Sequence, residues 1–408
     1  MISTFVIGNI MIATGLSAYA VKDIFYPIYQ DRKARKAAKS NNEEVEETLD
    51  SQYTRFFENL GLMDTKKGDW IKVLGEVERH EFYSKVSFYL SDTLSIATFQ
   101  KATENIRQKM NITHLEIYED RGRMVFRSRA AELPLIPYEF EKTPKNLIPL
   151  GIDLDGNVVY WNLKKDAHAM IIGTTGSGKS NLINVLIDHI LHNYKGCRLF
   201  LGDYKGGMEL STYENVANVV SYSESLSDAD RLIADIEAEY TSRVEIMKKA
   251  GYRDYSKFVN DKPNTSLKRA FVIIDEFSML LRLNAKKDEF DAMETLIDLS
   301  KRVRCVGIHI ILACQKPTIT NIPSDLKANV SCIIGMKTRD AHNSELVIDK
   351  AGLEKLDIGE SISIIDNKEV FFKAFCIDDE TIEATVKEFS KAEDKQITNK
   401  DNVKNLFK

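Results

Sequence analysis

Apolar and polar positions alternate with two different patterns along this chain, and the change between them divides it. Residues 55–140 contain short runs, of which 85–90 alternates like a half-buried strand and 96–110 repeats like an amphipathic helix. Two more short strands are predicted at 114–118 and 123–127. These patterns predict a small α+β domain, called the small domain below.

Continuous apolar runs separated by helical segments extend from residue 141 to residue 390. The clearest runs lie at 168–172, 271–275 and 308–314. Strands that are apolar on both faces are typical of a parallel sheet covered by helices. We therefore predict an α/β fold for residues 141–390, called the large domain below, followed by a charged tail at 391–408.

The beginning of the chain has a different character. Residues 2–21 carry no charged side chain, and a helix of that length crosses about 30 Å of hydrocarbon. Basic residues follow at once, so the positive-inside rule predicts a single transmembrane helix at 1–22 with the rest of the chain in the cytoplasm. Residues 23–54 are predicted to be a charged linker. A cleaved signal peptide and a buried helix are the alternatives.

The overall charge is balanced, with 56 basic and 61 acidic residues and a formal net charge of -5. Any nucleic-acid contact must therefore come from a local patch. Arg121, Arg123, Arg127 and Arg129 share one face of an extended chain because strand side chains alternate with a period of two. That face either follows phosphates or is an ordinary solvated surface, and both interpretations stay open here.

The strongest chemical signal is a glycine-rich loop between a predicted strand and a predicted helix. It fits the Walker A pattern G-x-x-x-x-G-K-[ST], in which backbone N–H groups and a helix N-terminus hold phosphates. Lys179 is expected to bridge the β- and γ-phosphates of ATP, and the Ser180 hydroxyl to bind Mg²⁺. The predicted nucleotide-binding residues are Gly173, Thr174, Thr175, Gly176, Ser177, Gly178, Lys179, Ser180 and Asn181.

Two further apolar strands end in polar side chains that suit ATP hydrolysis. Asp275 and Glu276 end the first of them, which corresponds to a Walker B strand. Asp275 is predicted to hold Mg²⁺ and Glu276 to polarise the attacking water. Gln315 follows the second strand, where its amide can sense the γ-phosphate. The alternatives are a helix cap for the acids and an ordinary hydrogen-bonding residue for Gln315.

Together these motifs resemble the motor domain of the FtsK/SpoIIIE-type DNA translocases, a branch of the P-loop NTPases with a RecA/FtsK-like fold. Further matches lie at 201–210 (D-P-K-x-x-E-L, with Tyr204 in place of proline and one extra residue), at 239–255 (E-x-x-x-R and A-G-x-R), at 304–317 (R-x-x-G-I-H and A-T-Q-R-P), and at 327–330 and 349–356. Residues 343–345 depart from the family's D-S-R, which puts that subunit contact in doubt.

The resemblance implies an ATP-driven translocase of double-stranded DNA that works as a ring, by expectation a hexamer. One membrane helix and little sequence beyond residue 365 make the chain most similar to the short coupling proteins of conjugative elements. Those act with a relaxase and mating-channel proteins. A chromosome-segregation translocase, a secretion ATPase that acts on protein, and a non-catalytic scaffold are the alternatives.

The resemblance also suggests a catalytic residue donated between subunits. Arg304 matches the family arginine of R-x-x-G-I-H, and ring ATPases commonly use an arginine from the adjacent subunit to stabilise charge at the γ-phosphate. Arg302 is the second candidate. The alternative is that Arg304 caps the negative C-terminus of the preceding helix.

Overall fold

The computed structural model describes residues 48–110, 112, 114–129, 133–283, 290–318 and 321–390. The predicted transmembrane helix at 1–22, most of the linker at 23–54 and the tail at 391–408 lie outside these residues. Within the described ranges, every helix is either too short or too polar to cross a bilayer.

The small domain is an antiparallel sheet covered by helices, as predicted. Its elements are α1 (Leu49–Asn59), β1 (Ile71–Arg79), β2 (Tyr83–Leu90), α2 (Ile96–Lys101), α3 (Thr103–Met110), β3 (Leu115–Asp120) and β4 (Arg123–Arg129), and the strands lie in the order β1-β2-β4-β3. The single helix predicted at 96–110 is divided into two helices at Ala102. At this break the Thr103 hydroxyl donates a hydrogen bond to the Gln100 carbonyl.

Buried aromatic rings form the core of this small domain. Tyr53 and Phe57 on α1 pack edge-on against Phe88 of β2, and Phe57 also contacts Phe99 and Phe126. All five side chains are almost fully buried. Because α1 supplies two of these rings, the folded unit begins inside the segment predicted as linker.

The large domain has one sheet with helices on both faces. Its strands are β5 (Ile136–Pro137), β6 (Leu147–Ile152), β7 (Val158–Asn162), β8 (Ala169–Ile172), β9 (Arg198–Asp203), β10 (Val219–Ser223), β11 (Ala270–Asp275), β12 (Ile308–Cys314), β13 (Cys332–Met336), β14 (Glu360–Ile365) and β15 (Lys368–Cys376). Its helices are α4 (Lys179–Asn193), α5 (Leu226–Lys249), α6 (Tyr255–Asp261), α7 (Ala292–Arg302), α8 (Ser324–Asn329), α9 (Ala341–Ile348) and α10 (Asp379–Phe389).

The strand order β10-β9-β11-β12-β8-β13-β14-β15-β6-β7 combines two kinds of pairing. Strands β10 to β13 in this order are parallel, as predicted, whereas β14, β15, β6 and β7 are antiparallel. The prediction of a parallel sheet flanked by helices is therefore confirmed for one half of the sheet, and the sheet as a whole is mixed. Between β14 and β15 the chain returns through a two-residue turn at Asp366 and Asn367, both with positive φ, so these two strands are antiparallel.

Strand burial explains where the functional residues lie. Every residue of β8, β11 and β12 is buried, because helices cover both faces of the sheet. Polar side chains that follow these strands therefore collect at the carboxyl edge of the parallel half, where ligands bind in open α/β sheets.

Candidate nucleotide site

The glycine-rich loop leaves β8 and returns into α4, which begins at Lys179. Gly178 has φ of 99°, and a Cβ atom there would approach the Gly359 backbone nitrogen to 3.1 Å. Only glycine fits both the conformation and the space. The Thr174 backbone nitrogen donates to the Lys337 carbonyl at 2.9 Å, which ties the loop to the exit of β13. The loop thus has the strand, turn and helix that phosphate binding requires.

Lys179 and Asp275 form a buried ion pair at the base of the loop. The Lys179 ammonium donates to Asp275 Oδ1, and both side chains are almost completely buried. Asp275 Oδ2 has no hydrogen-bond partner among the described residues. A buried carboxylate oxygen without a donor is a suitable ligand for a hard cation, so Asp275 fits the predicted role of a Mg²⁺ ligand.

Glu276 has a left-handed backbone with φ of 54° and sits at the centre of a polar network. Its Oε1 accepts from the Ser278 hydroxyl at 2.7 Å, and its Oε2 accepts from the Gln315 backbone N–H at 3.0 Å. The Gln315 Oε1 accepts from the Thr175 hydroxyl at 2.8 Å. Left-handed conformations are costly for residues other than glycine and are concentrated at functional sites. The network joins the phosphate loop to the predicted catalytic acid.

Glu209 is a functional candidate that the sequence reasoning did not select. It follows β9, whose Asp203 lies opposite Asp275 in the sheet. The Lys205 ammonium donates to Glu209 at 2.8 Å. Burial acts to raise the pKa of Glu209, but hydrogen bonds from Lys205 and Ser180 outweigh it and lower that pKa below the ordinary value. An ionised carboxylate therefore contacts the predicted magnesium ligand. The sequence signal that could have identified Glu209 is its position in the stretch at 201–210 that resembles the family motif.

Asp203 and Asn181 prove to support the backbone. The Asp203 carboxylate accepts from the backbone N–H groups of Lys205, Glu209 and Leu210, so it holds the loop that carries Glu209. The Asn181 amide donates to the Ile377 carbonyl at 2.7 Å and accepts from its N–H at 3.2 Å. This side chain is hydrogen-bonded to the exit of β15, and the inclusion of Asn181 among the nucleotide contacts stays a prediction.

Arg304 lies away from the phosphate loop of its own chain. Arg304 lies before the amino end of β12, whereas the phosphate loop follows the carboxyl end of β8, the parallel neighbour of β12. The length of β12 alone separates them by about 20 Å. Its guanidinium donates to the Lys164 carbonyl at 2.5 Å and not to the end of α7. Arg302 pairs with Asp298 and lies 5.1 Å from the Tyr240 ring centroid. Arg304 therefore does not reach the phosphate loop of its own subunit, and a role across an interface stays a prediction.

Arg127 and Arg129 join the small domain to the large domain. Arg127 pairs with Asp155 at 2.7 Å, and Arg129 pairs with Asp357 at 3.0 Å and with Glu360 at 3.4 Å. Both arginine side chains are largely buried. The hypothesis that this face follows phosphates is wrong for these two residues, and a solvated surface does not describe them either. Arg127 also pairs with Glu116 of β3 at 3.3 Å, but the partners in the large domain lie 28 or more residues away in sequence, where strand alternation gives no information.

The loop held by Arg129 touches the phosphate loop. The Gly359 N–H donates to the Ser177 carbonyl at 2.8 Å, and Asp357 and Glu360 flank this glycine. Glu360 is fully buried. Burial raises the pKa of Glu360 above its ordinary value, while the Arg129 charge opposes that rise. We call residues 357–360 the brace loop, because it connects an arginine of the small domain to the Walker A backbone.

Comparison with curated proteins gives relatives that match about half of this chain. The DNA translocase FtsK of Lactiplantibacillus plantarum is 32% identical over 221 residues, which are 51% of this chain and 27% of that protein. The DNA translocase SftA of Bacillus subtilis is 32% identical over 216 residues, 51% of this chain and 22% of that protein. The chain spans about a quarter of the length of these relatives.

Solved structures share the fold. The conjugation coupling protein TcpA of pCW3, in its monomer form with ATPγS, has a TM-score of 0.58 at 20% identity, and the match covers 83% of this chain and 99% of that chain. The cytoplasmic domain of the type VII secretion ATPase EccC of Thermomonospora curvata has a TM-score of 0.54 at 23% identity, over 62% of this chain and 32% of that chain.

The family assignment follows from the matched segment together with the geometry. Residues 137–319 match the FtsK/SpoIIIE family, and this segment contains the Walker A loop, the Asp275–Glu276 strand end and Gln315. The structure brings these residues to one edge of the sheet, as an ATP site requires. This chain therefore carries an ATPase domain of the FtsK/SpoIIIE family.

Proposed function

We propose that this chain is an ATP-driven translocase of double-stranded DNA, anchored to a membrane by its first residues, and that it is the coupling protein of a conjugative element. The observation that carries the proposal is the joined network of Lys179, Asp275, Glu276 and Gln315 inside the family-matching segment. The fold it shares with TcpA supports the conjugative assignment, because the match extends over nearly all of that chain.

The site geometry supports a specific division of labour during hydrolysis. On nucleotide binding, the Lys179 ammonium leaves Asp275 and contacts the β- and γ-phosphate oxygens. Asp275 and Ser180 are then the protein groups that would hold Mg²⁺, which neutralises charge on the phosphates. Glu276, fixed by Ser278 and the Gln315 backbone, accepts a proton from the attacking water.

Gln315 is suited to report the state of the nucleotide. Its side-chain oxygen accepts from Thr175 in the phosphate loop, while its backbone nitrogen donates to the Glu276 carboxylate. A γ-phosphate that attracts the Gln315 amide would change both contacts together. The same residue begins the loop that leaves β12, so this change can pass to the surface of the subunit.

Assembly into a ring hexamer would complete the site. Arg304 is exposed and lies at the sheet edge opposite its own phosphate loop, so it can act only on the nucleotide of a neighbouring subunit. The proposal places the ATPase domain in the cytoplasm, with a relaxase and mating-channel proteins as partners.

The test uses the full-length protein in detergent micelles. ATP turnover is measured with and without linear duplex DNA, and translocation is measured by displacement of a triplex-forming strand from that duplex. We expect duplex-stimulated turnover and ATP-dependent displacement, with neither in the matched Glu276→Gln variant. Turnover that responds to a secreted protein substrate and not to DNA would reject the proposal in favour of a secretion ATPase.

A further inference from the structure

A basic cavity lies on the side of the large domain opposite the nucleotide site. Its volume is about 780 Å³, and it opens beside the amino ends of β8, β9 and β11, whereas the phosphate loop lies at the carboxyl ends. Within the described part of the chain its lining contains no Asp or Glu. The basic side chains that line it are Lys142, Lys145, Lys164, Lys195, Lys268 and Arg269.

These cations are not neutralised by the protein. Across the described ranges, none of the five lysines forms an ion pair with a carboxylate, although exposed lysines elsewhere, such as Lys165 with Asp366, do so. Like charges gathered in a concavity produce a positive potential that attracts anions. The chain has a net charge of -5, so this concentration of positive charge is local.

Arg269 gives the cavity a fixed binding group. Its Nη1 donates to His309 Nε2 at 2.6 Å, and His309 Nδ1 donates to the Ala167 carbonyl at 2.9 Å. The guanidinium also lies 5.9 Å from the Tyr194 ring centroid and 5.4 Å from that of Tyr255. Among the described residues, Arg269 has no carboxylate partner.

His309 holds this arginine as a neutral acceptor. Burial, followed by the positive charge of Arg269, lowers the pKa of His309 well below its ordinary value. The imidazole therefore keeps a free lone pair on Nε2 for the guanidinium at neutral pH. A guanidinium that is already oriented loses less conformational entropy when it binds an anion.

We propose that this cavity binds a small anion that carries two or more phosphate groups, at a site separate from the Walker A loop. The volume lies within the range of about 300–1,000 Å³ that is usual for small-molecule sites. Arg269 offers a planar fork for phosphate oxygens, and the lysines around it offer mobile charges. A recessed arginine favours a small ligand over a DNA duplex, which contacts mainly protruding side chains.

The experiment measures binding of inorganic tripolyphosphate by calorimetry to the full-length protein. The background variant is Lys179→Ala, which removes the phosphate-binding lysine of the Walker A loop. We expect binding in this background, and at least about a tenfold loss of affinity on adding Lys145→Gln with Lys195→Gln, or Arg269→Gln, since hydrogen bonds to charged groups are being removed. Lys145 and Lys195 are exposed, so their replacement leaves the fold intact even where Arg269→Gln does not.

Lys165→Gln is the matched control. It removes one positive charge, as Arg269→Gln does, and it lies next to Lys164, but Lys165 is paired with Asp366 and does not line the cavity. Equal losses in the control and in the cavity variants would overturn the proposal, because net charge alone would then explain them. Absence of tripolyphosphate binding in the Lys179→Ala background would overturn it too. The proposal would also be overturned if the cavity variants lowered the affinity for duplex DNA while the protein showed no affinity for tripolyphosphate.

Discussion

Replacement of Arg129 by methionine removes the connection between the small domain and the brace loop while keeping most of the side-chain volume. Arg129 contacts Asp357 at 3.0 Å and Glu360 at 3.4 Å, and the brace loop donates from Gly359 to the Ser177 carbonyl at 2.8 Å. We expect Arg129→Met to lower both the free energy of unfolding and the affinity for ATP.

The two partners contribute unequally to the expected loss. Asp357 is 58% exposed, and an ion pair of that kind is worth at most about 1 kcal/mol. Glu360 is fully buried, and removal of one partner of a buried pair typically costs about 3–5 kcal/mol. Lys373 remains nearby to offset part of the Glu360 charge. We therefore expect a loss of about 3 kcal/mol at pH 8.

The loss should diminish as the pH falls. Burial already raises the pKa of Glu360 above that of the unfolded chain, and without Arg129 that pKa rises further. A carboxyl group with a raised pKa binds its proton more tightly in the folded state, so stability falls as pH increases from the unfolded pKa through the folded pKa. Acidification through this window protonates Glu360 and removes the unpaired charge.

The assay is urea unfolding at pH 8 and pH 5.5, with affinity for an ATP analogue measured in parallel. Arg123→Met is the control, because Arg123 lies on the same strand but is exposed. The double variant Arg129→Met/Glu360→Gln should recover most of the lost stability. An equal effect of Arg123→Met, or ATP affinity that stays unchanged when Arg129→Met destabilises the chain, would refute the proposed brace.

Four further outcomes are expected from the site. Glu276→Gln should keep ATP binding but reduce turnover by at least about 100-fold, since a catalytic base is lost; normal turnover would remove Glu276 from the mechanism. Lys179→Ala should abolish nucleotide binding, as checked by fluorescent ATP titration. Arg304→Ala should bind ATP yet hydrolyse it poorly, and mixing it with Lys179→Ala should restore activity at mixed interfaces; undiminished turnover would transfer the role to Arg302. Deletion of residues 1–22 should release the protein from membranes and preserve DNA-stimulated turnover, whereas full-length protein found in the soluble fraction would contradict the anchor.

The sequence predicted the elements and residues whose structure depends on local information. The strand, glycine-rich turn and helix around Lys179 follow one another in the chain, and buried strands that end in Asp275 or Gln315 are recognisable from their apolar runs. Because parallel strands carry their carboxyl ends to one edge, this pattern also predicted that these residues would meet. The Asp366–Asn367 turn is also local, although the sequence analysis did not identify it, and it accounts for the antiparallel pairing of β14 with β15.

Only the tertiary structure decided which distant groups each exposed or half-buried side chain would meet. Arg127 and Arg129 lie on the strand face that alternation predicts, but three of their acidic partners, Asp155, Asp357 and Glu360, come from the large domain. Asn181 follows the Walker A serine, yet its amide is bound by Ile377 almost 200 residues later. Arg269 lines a basic cavity whose walls come from segments that are far apart in the sequence. Periodicity fixes the direction of a side chain relative to its own element, whereas its partner depends on how elements pack, and that information is not local.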